Sequence, residues 1–172
     1  MTKKEVNQTV EPEVEVDLNL DPNLDYKITS KDGQVLYETD QKELDDCFYS
    51  IIALMSWSKT FNVGRKLKLT FSTISDDAKM ELLNTVKKWA SDNDASSNMF
   101  EQHLNKVNMA YYLSYIEMDG NNLNIREKST EERIKFFGTM PEAALQLYGT
   151  YLFVFLEVIR KSLLNQVNIK NS

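Results

Sequence analysis

TMPEAALQLYGTYLFVFLEVIRKSLLNQV, residues Thr139–Val167, is the longest apolar run in the chain, and its spacing predicts a long helix that the rest packs around. Thr139, Met140, Pro141 and Glu142 combine an N-cap hydroxyl, an early proline and a glutamate placed to close a capping box. From Ala143 to Ile159 only Gln146, Gly149, Thr150 and Glu157 interrupt the apolar residues. One helical stripe carries Leu145, Tyr148, Leu152, Phe155 and Ile159; its neighbour carries Ala144, Leu147, Tyr151, Val154 and Val158. Such a helix needs cover on more than one side. Glu142, Gln146, Thr150, Glu157 and Lys161 share a narrow polar stripe, on which Phe153 is the one aromatic. The apolar run falls short of the about 20 residues that cross a bilayer and carries Glu157 near one end, so a membrane partner is not expected.

Working back to the N-terminus, Met1 to Leu24 has two prolines and no aromatic residue, and up to Asp25 it holds seven carboxylates against Lys3 and Lys4. That composition predicts a flexible acidic arm over residues 1–25 and a single mostly helical domain over 26–172. Within the arm Val14, Val16, Leu18 and Leu20 alternate with Glu13, Glu15, Asp17 and Asn19. Either the arm is a solvated tail, or this stretch is a strand that orders against a partner's sheet edge. The arm also carries most of the net charge of −6, which argues against binding a nucleic-acid backbone. No charged-then-apolar leader opens the sequence, so the protein is expected in the cytoplasm where it is made.

Tyr26 to Glu38 reads as a hairpin around Asp32-Gly33, a pair suited to a type I′ turn. Asp40 and Glu43 open a helix with Leu44, Cys47, Phe48, Ile51, Leu54 and Met55 on one face. Leu67, Leu69 and Phe71 then alternate with Lys66, Lys68 and Thr70, read as an edge strand with lysines on its solvated face. Ser75 caps a helix whose inner face is Leu82, Leu83, Val86, Trp89 and Ala90, and a second helix is expected from Met99 to Tyr115. Asp119-Gly120 marks a turn, with a small hairpin between Met118 and Leu123, and Ser129 to Glu132 is a capping box opening a short helix that ends at Gly138. The fold class is therefore mainly α with a small β component (α+β): a helical bundle around the long C-terminal helix, with an N-terminal β-hairpin and an edge strand.

Catalytic chemistry has no local signature. Cys47 is the only cysteine and lies within an apolar stripe; His103 is the only histidine and has Met99, Lys106 and Val107 as helical neighbours. No phosphate loop, dinucleotide fingerprint, nucleophile elbow or metal-ligand spacing is present. No enzymatic activity, catalytic residue, metal or cofactor is expected.

The order of elements resembles phage tail assembly chaperones over Lys66 to about Leu164. The resemblance is carried by Leu67-Lys68-Leu69-Thr70-Phe71, Ser75 to Ala78, Ala110 to Gly120 and the Met-Pro step within Thr139 to Tyr151. It implies a non-enzymatic protein of tail morphogenesis that binds the tape measure protein, tail tube or baseplate subunits in the host cytoplasm. The competing expectation is a permanent structural subunit of the virion tail, baseplate or neck, held partly by its arm. A homo-oligomer is a further option. Candidate partner contacts are Val14, Val16 and Leu18 in the arm, and Phe153 and Tyr151 on the long helix, an exposed aromatic beside polar residues being a natural anchor.

Overall fold

The computed structural model describes residues 26–167. Val14, Val16 and Leu18, the partner contacts expected in the arm, lie outside the described residues. Two short strands, β1 (Lys27–Thr29) and β2 (Val35–Glu38), pair antiparallel. Their connection is not the expected type I′ turn. Gly33 N–H donates to Ser30 C=O and Ser30 N–H to Gln34 C=O, and only Gly33, at φ +80°, is left-handed. This is the three-residue connection with a glycine bulge.

Helix α1 (Gln41–Leu54) starts as read: the Asp40 carboxylate accepts from Glu43 N–H. Leu44 and Cys47 are fully buried, but Leu54 and Met55, assigned from spacing to the same inner face, are 71% and 87% exposed. The helix outruns the surface it packs on.

Strand β3 (Ser58–Val63) was not foreseen, and it changes the place of its neighbour. Its inward positions are Lys59, Phe61 and Val63, so a lysine breaks the apolar alternation that would have revealed it. With β4 (Leu67–Ser72), β5 (Leu113–Met118) and β6 (Asn121–Asn124) it forms an antiparallel sheet in the order β3-β4-β5-β6. The expected edge strand is thus internal. Its outward Lys68 is paired with Glu117 on β5 at 2.8 Å rather than bare at an edge. The β5–β6 connection is the real type I′ turn, with Asp119 and Gly120 at φ +50° and +82° between Met118 and Asn121.

Helices α2 (Asp76–Asp92) and α3 (Ser97–Tyr112) pack as a pair, capped by Ser75 and Ser96. Leu83, expected on the inner face of α2, is 46% exposed. The apolar stretch whose spacing predicts α3 to reach Tyr115 is a helix running directly into a strand. Leu113 and Ile116 are buried by strand geometry, and a bulge at Ser114 lets its hydroxyl meet Ser72 Oγ at 2.6 Å. A 3₁₀ turn (Ile125–Glu127) leads to α4 (Thr130–Gly138), whose Ser129–Glu132 capping box is complete. Arg133 on α4 donates to Ala110 C=O at 2.8 Å, satisfying a carbonyl at the end of α3.

Thr139 does not cap the long helix. Its hydroxyl donates backward to Phe136 C=O at 2.8 Å, closing α4, and α5 (Glu142–Val167) begins from Pro141, whose carbonyl accepts from Ala144 and Leu145. The Glu142 side chain instead accepts from Gln146 at 3.2 Å. At 26 residues α5 exceeds the apolar run measured in the sequence, and Glu142–Asn165 is long and apolar enough to cross a membrane by length and composition. Here it lies over the inner face of the sheet and along α1. Phe155 stacks on Trp57 (5.2 Å) and touches Phe71 (5.8 Å) and Tyr112 (6.4 Å), while Ser162 and Asn165 bond Cys47 and Gln41 of α1. The molecule is of the α+β class, with a sheet, an overlying α5 and flanking helices sharing one core.

Candidate partner-binding groove

Successive residues on a helix are turned by about 100°, so the side of α5 opposite the sheet carries Gln146, Gly149, Thr150 and Phe153. These residues floor a groove of about 790 Å³. One wall is α3, through Asn98, Glu101, Gln102, Asn105 and Lys106; the other is the β1–β2 hairpin, through Ser30, Lys31 and Leu36. Met140 and Leu145 add apolar surface. The hairpin reaches this position because its base is pinned elsewhere: Tyr26 donates to Gln41 on α1 at 3.0 Å, and Ile28 is buried in the core.

Gly149 and Phe153 give the floor its shape. A Cβ built on Gly149 would meet only Met109 Cε, at 3.9 Å, an ordinary contact. The fold therefore leaves room for a side chain where a glycine costs helix stability. Phe153 is 43% exposed, although its neighbours along the outer side are polar.

The other expected contact on α5 is placed elsewhere. Tyr151, two residues from Phe153, is half-buried and packs its ring on Phe61 of β3 at 5.3 Å. The structure does not bring the two together. The groove also contains residues that single-segment reading could not find, because it is built from three distant stretches. The signals in the sequence were a glycine inside an apolar helix and Phe153 on its polar stripe.

A second polar constellation sits between β2, α1 and β3. Lys59 forms an ion pair with Glu43 and donates to Tyr37 OH at 2.8 Å; Tyr37 and Thr39 each donate to Glu43 Oε2 at 2.8 Å. Burial would lower the Lys59 pKa, but the hydrogen bonds to Glu43 and Tyr37 outweigh it and hold the ammonium above the ordinary lysine value. Burial also raises the Tyr37 phenol. Its ion pair with Glu43 and hydrogen bond to Tyr37 make Lys59 a staple for the hairpin. Cys47 is unsuited to reaction: burial pushes its thiol up to about 11, with the Ser162 hydroxyl opposing.

His103 on α3 stacks face to face on Trp89 of α2 at 3.9 Å, and burial, then Lys106, lowers its pKa. It joins two helices, and its buried Nε2 has no hydrogen-bond partner among the described residues. No three His, Cys, Asp or Glu side chains gather as metal ligands among the described residues. Comparison of the chain with family models, with curated proteins and with solved structures finds no match.

Proposed function

We propose that the chain is a non-enzymatic phage tail morphogenesis protein, resembling a tail assembly chaperone, that holds an apolar face of the tape measure protein or of a tail subunit against Phe153 and the groove beside α5. The observation that supports this most is the partly exposed Phe153 on a side of α5 that the core does not use. An aromatic there contributes little to folding, whereas at an interface it is the residue type that carries binding energy. The order of elements from β4 through the Met-Pro step into α5 supports the tail assembly class by pattern.

The test is co-expression with the tape measure protein of the same phage. The expected result is a soluble complex that co-elutes on gel filtration and is released by Phe153→Asp. A tape measure protein that never co-elutes with the folded chain overturns the chaperone reading. Stoichiometric recovery of the chain from purified virions would point instead to a structural subunit of the tail, baseplate or neck.

A further inference from the structure

The groove beside α5 has features that select among occupants. Its α3 wall presents amides at Asn98, Gln102 and Asn105, three and four residues apart and so on one side of that helix. Amide side chains offer both donors and acceptors. A helical occupant has already paired its backbone groups, whereas an extended segment brings unpaired N–H and C=O groups that such a wall can satisfy. The floor beneath is apolar at Leu145 and Phe153 and lacks a side chain at Gly149, so a chain can approach closely.

The protein carries a segment with matching chemistry. Val14, Val16, Leu18 and Leu20 alternate with Glu13, Glu15, Asp17 and Asn19, so in extended form four apolar side chains face one way and the polar ones the other. Laid on the floor, the carboxylates point to solvent and need no basic counterpart. This agrees with a groove lined by as many acidic as basic residues, Glu101 and Glu142 with Lys31 and Lys106. The tether is short enough. Ser30, which lines the groove, is four residues beyond Tyr26, about 13 Å along a strand, and the six steps from Leu20 to Tyr26 span up to about 20 Å.

We propose that the groove between α3, α5 and the β1–β2 hairpin is the docking site of residues Val14–Leu20 of the same chain, an internal occupant that a partner must displace. The displacement rests on the tail assembly reading; the docking does not. In the free protein the arm shields Phe153, and loading of a partner frees the arm and its carboxylates together.

The experiment uses the full chain, dilute and without partner, with a photo-crosslinking benzoylphenylalanine in place of Leu18. Irradiation is expected to give intramolecular crosslinks mapping to residues 98–106 or 145–153, and Phe153→Asp is expected to abolish them while leaving the melting curve in place. Crosslinks to other parts of the chain, crosslinks only between molecules, or none at all would overturn the proposal. As a readout that does not perturb the body, Val14, Val16 and Leu18 are changed together to Ser in the full chain. Hydrogen exchange at residues 98–106 and 145–153 should then accelerate, and unchanged exchange there counts against docking. Because no phage partner is present, these outcomes are separate from co-elution with the tape measure protein. Either result can fail while the other stands.

Discussion

Phe155 and Phe153 are the same residue type two positions apart on one helix, yet the first is fully buried among Trp57, Phe71 and Tyr112 and the second is 43% exposed over a groove. Both belong to an unbroken apolar run, Tyr151 to Leu156, so hydrophobicity alone does not separate them. The sheet does. It offers α5 one surface, with α1 alongside, and an apolar residue turned about 200° from that surface is only partly covered, by the walls of the groove. A helix apolar on more than one side thus divides its side chains between what the fold requires and what it leaves available.

That division can be broken most forcefully from the buried side. Phe155→Ala removes a ring from the centre of the core and should cost about 3–5 kcal/mol of unfolding free energy, read as a lower denaturant midpoint. A loss near zero would mean that the core is not organised around this position.

Next in size is the staple between hairpin and sheet. Glu43→Gln keeps the shape but takes the charge from a carboxylate that receives Lys59, Tyr37 and Thr39, and should cost about 1–3 kcal/mol. Hydrogen exchange should rise first in the β1–β2 hairpin, because the cluster ties β2 to α1 and β3. A uniform change over the whole chain would contradict that assignment.

The groove side predicts the opposite sign. Gly149→Ala meets only Met109 Cε at 3.9 Å, so helix propensity should win, and the variant is expected to be more stable by about 0.5–1 kcal/mol. If it is destabilised, the floor of the groove is tighter than its geometry indicates.

A smaller effect concerns pH. The folded state holds His103 below its ordinary pKa of 6.5 by burial and by Lys106, so it binds a proton less readily than the unfolded chain. The contribution of the Trp89–His103 stack is therefore intact above about 6.5 and is lost as pH falls from there through the lowered folded pKa. Acidification should lower the Tm of the wild type more than that of His103→Gln; equal pH slopes would remove His103 from the account.

Much of this architecture was legible because it rests on local chemistry. Asp40, Ser75 and Ser129 each accept the backbone N–H that their position implied, and α5 is the axis of the core. What escaped the reading depends on contacts far apart in sequence. β3 was hidden because Lys59 occupies an inward position that only Glu43 and Tyr37 make tolerable. The end of α3 was placed at Tyr115 because Tyr111, Leu113 and Ile116 are apolar under either period, and strand pairing with β4 decides between them. Thr139 has the residue type of an N-cap, but its hydroxyl is used by the preceding helix. The groove was invisible except for Gly149 and Phe153, since residues from the hairpin, α3 and α5 meet only in the fold.

The central claim is that the outer side of α5 serves binding and not folding. Its most direct test measures Phe153→Asp for denaturant midpoint and for co-elution with the proposed partner, the tape measure protein, in parallel with wild type. The account predicts a midpoint that moves by less than about 1 kcal/mol equivalent together with loss of the complex. A variant that unfolds as Phe155→Ala does, or one that stays folded and still holds its partner, would contradict it.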